Sequence, residues 1–206
     1  MQRLELRHQP VGPWPMNTYA LVCPQTKQSV LFDPGADPET LTTLLADSEP
    51  VAILLTHTHQ DHVGALAEMR TRLKVPVMAH PNAVKREITV DRALVDGDVV
   101  QVGVHTLNIL YAPGHIDDQL CFALAADHRV IVGDTIFAGG PGRTWDVAGF
   151  QTTLSTLRHV VLPWPDDTLG YPGHGPSFRL GDIRTQVLAF VNKDHGTFFG
   201  DAEWGM

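Results

Sequence analysis

The segment His57-Thr58-His59-Gln60-Asp61-His62 places four strong metal ligands within six consecutive residues. The apolar run before it, residues 51–56, predicts a buried strand, and residues 63–70 predict the start of a helix. The ligands are therefore expected on a turn at the carboxyl end of a strand, where open α/β sheets usually carry their chemistry. Imidazole together with carboxylate favours zinc or iron over calcium or magnesium.

Three further segments distinguish a metal site from a polar turn in which histidines are grouped by chance. His115, Asp134 and His174 each follow an apolar strand-like run and lie beside a glycine. Glycine allows the backbone to turn tightly, so these side chains can converge on a common centre. Four strand-end ligand sets in one chain favour a shared metal site.

The composition is that of a soluble globular protein, with 43% hydrophobic and 18% charged residues. The length predicts a single domain over residues 1–206, and no apolar run approaches the ~20 residues that cross a bilayer. The first seven residues lack the apolar core of a signal peptide, so a cytoplasmic location is expected. The net charge of −8 and the lack of a Lys/Arg block argue against nucleic-acid binding.

Strand patterns alternate with helix patterns along the whole chain. The strands are predicted at 3–7, 19–23, 30–32, 51–55, 75–78, 99–102, 104–110, 119–124, 130–132 and 168–171. The helices are predicted from an N-cap at Asp37 through Leu45, and near 63–73, 150–160 and 180–191. Cys23 and Cys121 lie in apolar strand-like contexts, which favours buried free thiols over a disulfide.

Together these motifs resemble the metallo-β-lactamase superfamily, whose signature is His-x-His-x-Asp-His followed by a later His, Asp and His. The resemblance extends from Met16-Asn17-Thr18-Tyr19 to His174 and is nearest to the glyoxalase II-like branch. Residues 133–137, 140–144 and 171–176 support that branch. The resemblance implies an α/β (α+β) protein with an αββα sandwich: two mixed β-sheets face to face, helices outside, and a metal site along one edge.

The resemblance also implies a ligand set for two divalent metal ions. By position, His57, His59 and His115 would bind the first metal, Asp61, His62 and His174 the second, and Asp134 would bridge the two. The implied metals are two zinc ions, with iron or a mixed zinc/iron pair as alternatives. Seven protein ligands leave coordination positions open, as catalytic sites do. The implied reaction is attack of metal-bound hydroxide on the carbonyl of a small thioester or ester, with Asp61 orienting the hydroxide.

Two residues outside the ligand set have competing interpretations. Asp33 is either a partner that orients a ligand histidine or the former of an Asx-type turn. Arg143, in the glycine-rich loop after Asp134, is interpreted as binding a substrate carboxylate, the alternative being a surface arginine or one paired with Asp146. Trp145 either packs on a substrate or fills the core.

Some positions depart from the family pattern. Ile116 stands where a Thr or Ser usually follows the histidine, and Asp117 and Asp118 are expected to make the pocket rim acidic. An acidic rim and the few cations after His174 argue against a glutathione conjugate as substrate. A small-molecule substrate is expected, without nucleic acid or membrane.

The remaining side chains leave alternatives open. The other histidines, namely His8, His80, His105, His128, His159 and His195, lack the strand-end glycine setting and are predicted to be surface or core residues. Phe198, Phe199 and Trp204 either cap the core or contribute to a homodimer contact. The functional alternatives are a persulfide dioxygenase of the same fold, with one iron held by His57, His115 and Asp134, and a noncatalytic metal-binding or sensing domain.

Overall fold

The computed structural model describes residues 2–125 and 127–206, within which two six-stranded sheets form the centre of the protein. The first sheet contains β1 (Glu5–Val11), β2 (Met16–Val22), β3 (Gln28–Phe32), β4 (Glu49–Leu54), β5 (Val77–Ala79) and β6 (Arg92–Ala93). The second sheet contains β7 (Val99–Val102), β8 (His105–Tyr111), β9 (Leu120–Leu124), β10 (Arg129–Gly133), β11 (Leu169–Pro172) and β12 (Phe178–Arg179).

The helices are α1 (Pro38–Leu44), α2 (Gln60–Val63), α3 (Leu66–Leu73), α4 (Val147–Thr156) and α5 (Leu180–Asn192). A short 3₁₀ helix spans Pro81–Arg86, and a π-helical turn at Leu157–Val161 continues α4. None of these helices is both long enough and apolar enough to cross a bilayer.

Both sheets are mixed, and each follows the order of the sequence. The first has the order β1-β2-β3-β4-β5-β6, antiparallel up to β3 and parallel from there on. The second has the order β12-β11-β10-β9-β8-β7 and is antiparallel except for the β10/β11 pair. The predicted αββα sandwich of two mixed sheets flanked by helices is confirmed.

Alternating side chains along the strands divide the core into layers. Phe32 of β3 and Phe122 of β9 meet between the sheets, with ring centroids 5.1 Å apart in an edge-to-face arrangement. On the outer face of the first sheet, Leu41 of α1 and Met69 of α3 pack over strand residues. Helices α4 and α5 cover the second sheet in the same way.

Several local predictions need correction. The single helix predicted at 63–73 is two helices, α2 and α3, so His62 lies within α2 instead of before it. Asp37 does stand at the N-cap position of α1, but its φ is 53° and its side chain does not cap the helix. Its carboxylate accepts a hydrogen bond from the Gly12 amide at 2.9 Å, which ties α1 to the β1–β2 connection.

Cys23 and Cys121 are free and buried, as predicted. Burial raises the pKa of the Cys121 thiol to about 12. At the carboxyl end, Trp204 is buried in the core under the second sheet and donates a hydrogen bond from Nε1 to the Ala138 carbonyl at 2.9 Å. The core-capping interpretation therefore holds for Trp204, whereas Phe199 is half exposed.

Candidate metal centre

The seven predicted ligands come together at one edge of the sandwich. They lie after β4 (His57, His59), in α2 (Asp61, His62), between β8 and β9 (His115), after β10 (Asp134) and after β11 (His174). Backbone hydrogen bonds join the two sheets at this edge, from the Asn17 amide to the Gly173 carbonyl at 2.6 Å and from the Leu120 amide to the Thr56 carbonyl at 2.7 Å.

His57, His59 and His115 form the first group of candidate ligands. His59 Nδ1 lies 3.2 Å from His57 Nε2 and 2.8 Å from His115 Nε2. The three ligand atoms lie within 4.8 Å of one another, so one ion could contact all of them.

Asp61, His62 and His174 form a second group of the same size. His174 Nε2 lies 3.0 Å from Asp61 Oδ2. Asp134 faces both groups, because its Oδ1 is 3.5 Å from His62 Nε2 and its Oδ2 is 3.6 Å from His115 Nε2. Asp134 therefore lies between the two groups, and its role as a bridge between two metals stays a prediction.

The outer ring nitrogens of two histidines are fixed by backbone carbonyls. His115 Nδ1 lies 2.7 Å from the Arg143 carbonyl oxygen, and His174 Nδ1 lies 3.1 Å from the Pro15 carbonyl oxygen. A carbonyl oxygen can only accept, so Nδ1 must carry the proton. In the neutral ring this leaves Nε2 with its lone pair directed into the cluster.

Asp33 and Thr56 orient two further inward-facing rings, those of His62 and His57. Asp33 Oδ2 accepts from Thr56 Oγ1 at 2.6 Å and from His62 Nδ1 at 3.1 Å. Because the Thr56 hydroxyl donates to Asp33, it can only accept from His57 Nδ1, at 3.1 Å. Asp33 thus contacts a ligand histidine directly, and it also accepts from the Thr56 amide at 2.7 Å, which ties the end of β3 to the turn after β4. These contacts favour the orienting interpretation over the Asx-type turn, because the partners of the carboxylate lie 23 and 29 residues away in the chain.

Several lone pairs therefore converge on a buried space, and this tests whether a metal fits. His62 Nε2 and Asp134 Oδ1 are buried, and no group in the described part of the chain gives either a hydrogen bond. Leaving a buried polar atom unsatisfied costs about 1–3 kcal/mol, and a metal ion that took the Asp134 oxygen and the deprotonated His62 nitrogen as ligands would remove that cost. A Cβ at Gly173 would lie 2.2 Å from Asp134 Oδ1 and 2.5 Å from His62 Cε1, so glycine keeps this space clear. The donor set fits divalent metal.

Burial and the neighbouring charges set the protonation of the cluster. Burial, followed by the neighbouring imidazoles, lowers the pKa of His57 well below its usual value and that of His59 to about 4. Burial also opposes charge on His62, but the Asp134 and Asp33 carboxylates outweigh it and raise the His62 pKa to about 10. Burial opposes charge on His174, but its hydrogen bond to Asp61 outweighs burial and raises the His174 pKa. The hydrogen bond that the protonated His174 ring donates from Nε2 lowers the pKa of Asp61 to about 2 despite partial burial.

Arg143 reaches the cluster through its backbone, whereas its side chain faces outward. The guanidinium is half exposed, with Nη1 3.2 Å from Asp201 Oδ2 and its carbon 4.8 Å from the centroid of the Trp145 ring. The guanidinium lies against Asp201 instead of Asp146. The Asp146 carboxylate caps α4 by accepting from the Gly149 amide at 2.7 Å.

The rim of the pocket does not carry the net negative charge that was expected, because neighbouring cations neutralise its carboxylates. Asp117 pairs with Lys85 Nζ at 3.1 Å and with Arg86 Nη2 at 2.7 Å. Asp118 is buried and accepts a hydrogen bond from the Thr58 hydroxyl. Both cations come from the 3₁₀ helix Pro81–Arg86, which the sequence patterns did not predict.

The six other histidines do not join the groups of candidate ligands in the described residues. His80 stacks on Tyr111, with ring centroids 4.5 Å apart and an interplanar angle of 7°. His8 stacks on Tyr19 and contacts Asn17 Oδ1 at 2.8 Å. Sequence reasoning missed Thr56, for which a polar residue closing an apolar strand was the available signal. It also missed the Pro15 and Arg143 carbonyls, for which no side-chain signal exists.

The fold and this edge site define a class of metal-binding proteins. The family model of the metallo-beta-lactamase superfamily matches residues 11–188. The chain belongs to the metallo-beta-lactamase superfamily, whose members are generally hydrolytic enzymes.

Two relatives indicate where the chain stands within this superfamily. It is 35% identical over 194 residues to the probable metallo-hydrolase YqgX of Bacillus subtilis, a match covering 84% of this chain and 91% of that protein. It is 32% identical over 159 residues to a hydroxyacylglutathione hydrolase of Polaromonas sp., covering 76% of this chain but 60% of that enzyme.

Two solved structures share the fold at moderate sequence identity. ETHE1 from Myxococcus xanthus has a TM-score of 0.82 and 27% identity, covering 92% of this chain and 86% of that one. TTHA1623 in a di-iron-bound form has a TM-score of 0.75 and 32% identity, covering 86% of this chain and 96% of that one.

Proposed function

We propose that this protein is a binuclear metal-dependent hydrolase of a small thioester or related ester. The observation that carries the proposal is the Asp134 carboxylate, which lies between the His57/His59/His115 group and the Asp61/His62/His174 group. A single carboxylate facing two three-residue ligand groups is the arrangement that a two-metal site needs. The di-iron-bound form of the related TTHA1623 supports two ions in this fold.

The protein's own residues orient the candidate ligands and set their protonation states. When bound, two divalent ions supply a water that is acidic enough to ionise near neutral pH and a polarised substrate carbonyl. The carbonyls of Pro15 and Arg143 and the carboxylate of Asp33 keep the lone pairs of the rings they contact directed inward. Asp61 is ionised at neutral pH, and its lowered pKa keeps it so in acid, so it can accept a hydrogen bond from water or substrate.

The substrate class rests on the relatives. The hydroxyacylglutathione hydrolase of Polaromonas sp. supports a thioester, because its name states that linkage to glutathione. The match covers 60% of that enzyme, so the proposal includes the thioester and leaves glutathione out.

Arg143 is proposed to bind a carboxylate on the substrate at the outer rim of the site. Such binding would exchange one carboxylate for another, because the guanidinium is paired with Asp201. Both side chains of this pair are at least half exposed, so the exchange is cheap. Arg143→Ala should then raise KM for anionic thioesters and leave neutral ones unchanged; unchanged kinetics on both would remove the clamp.

Metal analysis of protein purified without added metal tests the main proposal. We expect close to two ions per chain, together with thioester hydrolysis that a chelator abolishes and zinc or iron restores. His59→Ala and Asp134→Ala should each lose metal and activity, whereas the control His80→Ala, outside the ligand groups, should retain both. One iron per chain with no second metal would count heavily against a binuclear hydrolase.

A persulfide dioxygenase with one iron held by His57, His115 and Asp134 is the second candidate. The structural likeness to ETHE1 from Myxococcus xanthus favours it. The two functions separate in one experiment, in which iron-loaded and zinc-loaded protein receive a glutathione persulfide or a thioester. Oxygen consumption on the persulfide by the iron-loaded protein, and none by the zinc-loaded protein, would support the dioxygenase. Thioester hydrolysis without oxygen consumption would support the hydrolase.

A further inference from the structure

A cavity of about 620 Å³ opens beside the first ligand group, where His59 and His115 contribute to its wall. Its other lining residues come from Tyr111 at the end of β8, from the β8–β9 connection with Pro113 and Ile116, from the start of α4 with the preceding Trp145, and from Arg86 of the 3₁₀ helix. A space of this size holds a group much larger than acetyl. Ile116 presents an aliphatic side chain in this lining, so this part of the wall is apolar.

Each charged side chain in this wall already has a partner. Arg86 binds Asp117 at 2.7 Å and lies 3.7 Å from Asp118. Asp117 is also bound by Lys85, and the Asp146 carboxylate caps α4. A charged substrate group entering the cavity would have to displace one of these partners, whereas an uncharged apolar group would not. Displacement is harder at Arg86 than at Arg143, because the Arg86–Asp117 side chains are 35% and 43% exposed, against 52% and 78% for Arg143 and Asp201, and Arg86 also faces the buried Asp118.

Trp145 gives the cavity an exposed aromatic face next to the candidate metal ligands. Its side chain is 59% exposed, and its ring lies 6.1 Å from that of His59, nearly perpendicular to it. Arg143 covers part of the ring, with its guanidinium carbon 4.8 Å from the centroid, but Arg143 itself does not line the cavity. An apolar group seated beside Trp145 would remove apolar surface of both partners from water, which favours binding.

From these observations we propose that the cavity binds an uncharged, apolar group, of about the size of a phenylpropyl chain, attached to one side of the scissile carbonyl. The proposal rests on the proposed hydrolase function and narrows its substrate class. An anionic group, where a substrate carries one, lies outside this cavity at the rim near Arg143. Trp145 is thus a specificity residue, and the neutralised charges around Arg86 are what exclude acids from the cavity.

A thioester series tests the proposal through the ratio of kcat/KM values. The acyl group, with a constant thiol, is varied from acetyl to 3-phenylpropionyl to succinyl, and a second series places the phenyl ring on the thiol. In one of the two series, we expect the enzyme to have a higher kcat/KM for the phenyl compound than for the acetyl and succinyl compounds. Trp145→Ala should reduce that preference roughly tenfold. Trp145→Phe should restore most of it, which a general folding defect would not allow.

Trp14→Ala is the matched control, because Trp14 is a second exposed tryptophan, 76% accessible, beside Asp61 and outside this cavity. The control should leave the phenyl preference unchanged. Preference lost in Trp14→Ala but retained in Trp145→Ala would overturn the assignment of the cavity, as would the absence of any Trp145-dependent preference in both series.

A binding measurement separates failure of the cavity from failure of the proposed function. Neutral 3-phenylpropanamide, titrated into the purified protein, should shift the indole N–H resonance of Trp145 in NMR spectra, whereas succinamate should not. Binding without hydrolysis of any thioester would refute the function and keep the cavity. Hydrolysis without phenyl preference or amide binding would refute the cavity and keep the function.

Discussion

Thr58, which lies between the candidate ligands His57 and His59, donates its hydroxyl hydrogen to the carboxylate of Asp118. Asp118 is 1% exposed and belongs to the β8–β9 connection of the second sheet. Burial raises its pKa, although the hydrogen bond from Thr58 and the nearby Arg86 oppose that rise. A buried carboxylate of one sheet thus holds the ligand-bearing turn of the other.

Asp118→Ala should lower the free energy of unfolding by about 1–3 kcal/mol, because the buried Thr58 hydroxyl loses its acceptor. Urea denaturation of the metal-free protein measures this loss. Asp118→Asn, which retains an acceptor oxygen, should cost less. The control Asp117→Ala removes exposed ion pairs and should cost under ~1 kcal/mol; an equal loss in Asp117→Ala and Asp118→Ala would contradict this account.

Asp33→Asn should weaken metal binding roughly 10–100-fold. Both carboxylate oxygens of Asp33 accept hydrogen bonds, whereas Asn has only one acceptor oxygen for the Thr56 amide, the Thr56 hydroxyl and the His62 ring. Competition with a chromogenic chelator measures the affinity. Asp37→Asn is a matched control: Asp37 also has a positive φ, 53° against 47° for Asp33, and its carboxylate contacts Gly12 instead of a ligand histidine. Equal affinity in Asp33→Asn and wild type would contradict the positioning role.

Metal binding at pH 7.5 should release about one proton from His62, since a ligand nitrogen must give up its proton to coordinate. With a pKa raised to about 10, the His62 ring of the metal-free protein is protonated at this pH. Affinity should therefore rise as the pH increases from 7 towards 10. Calorimetry in buffers of different ionisation enthalpy measures the protons released, and a heat of binding that is independent of the buffer would disprove this prediction.

Cys121 should resist alkylation by iodoacetamide at pH 8 in the folded protein. The thiol is fully buried, and burial raises its pKa to about 12, so the reactive thiolate is scarce. Mass spectrometry of the modified peptide measures the reaction, and the same treatment in guanidinium chloride shows that the residue reacts once unfolded. Rapid labelling under native conditions would show that this core opens.

The metal-ligand side chains were predictable because histidine and aspartate are recognisable as metal ligands from the sequence itself. His57, His59 and Asp61 follow an apolar strand, and Gly114 and Gly173 mark the turns that bring later histidines to the same edge. The two-sheet fold followed from the resemblance that these motifs carry.

The surroundings of the ligands were less predictable. The partners of His115 and His174 are backbone carbonyls, and any residue at positions 143 and 15 would provide one. The 3₁₀ helix that brings Arg86 to Asp117 is too short to leave a periodic pattern. The pairing of Arg143 with Asp201 depends on the path of the carboxyl-terminal segment, which no local pattern encodes.

Each ligand group takes side chains from segments that follow strands of both sheets. His57 and His59 follow β4 of the first sheet and His115 follows β8 of the second, while Asp61 and His62, in α2 after β4, join His174 after β11. An ion bound there would act as a cross-link between the two layers, and its binding energy would add to their cohesion. By linkage, the metal affinity also depends on how stably the two sheets pack together. Trimming the Phe32–Phe122 contact between the sheets would weaken metal affinity without touching a ligand, so metal retention reports on the packing of the whole sandwich.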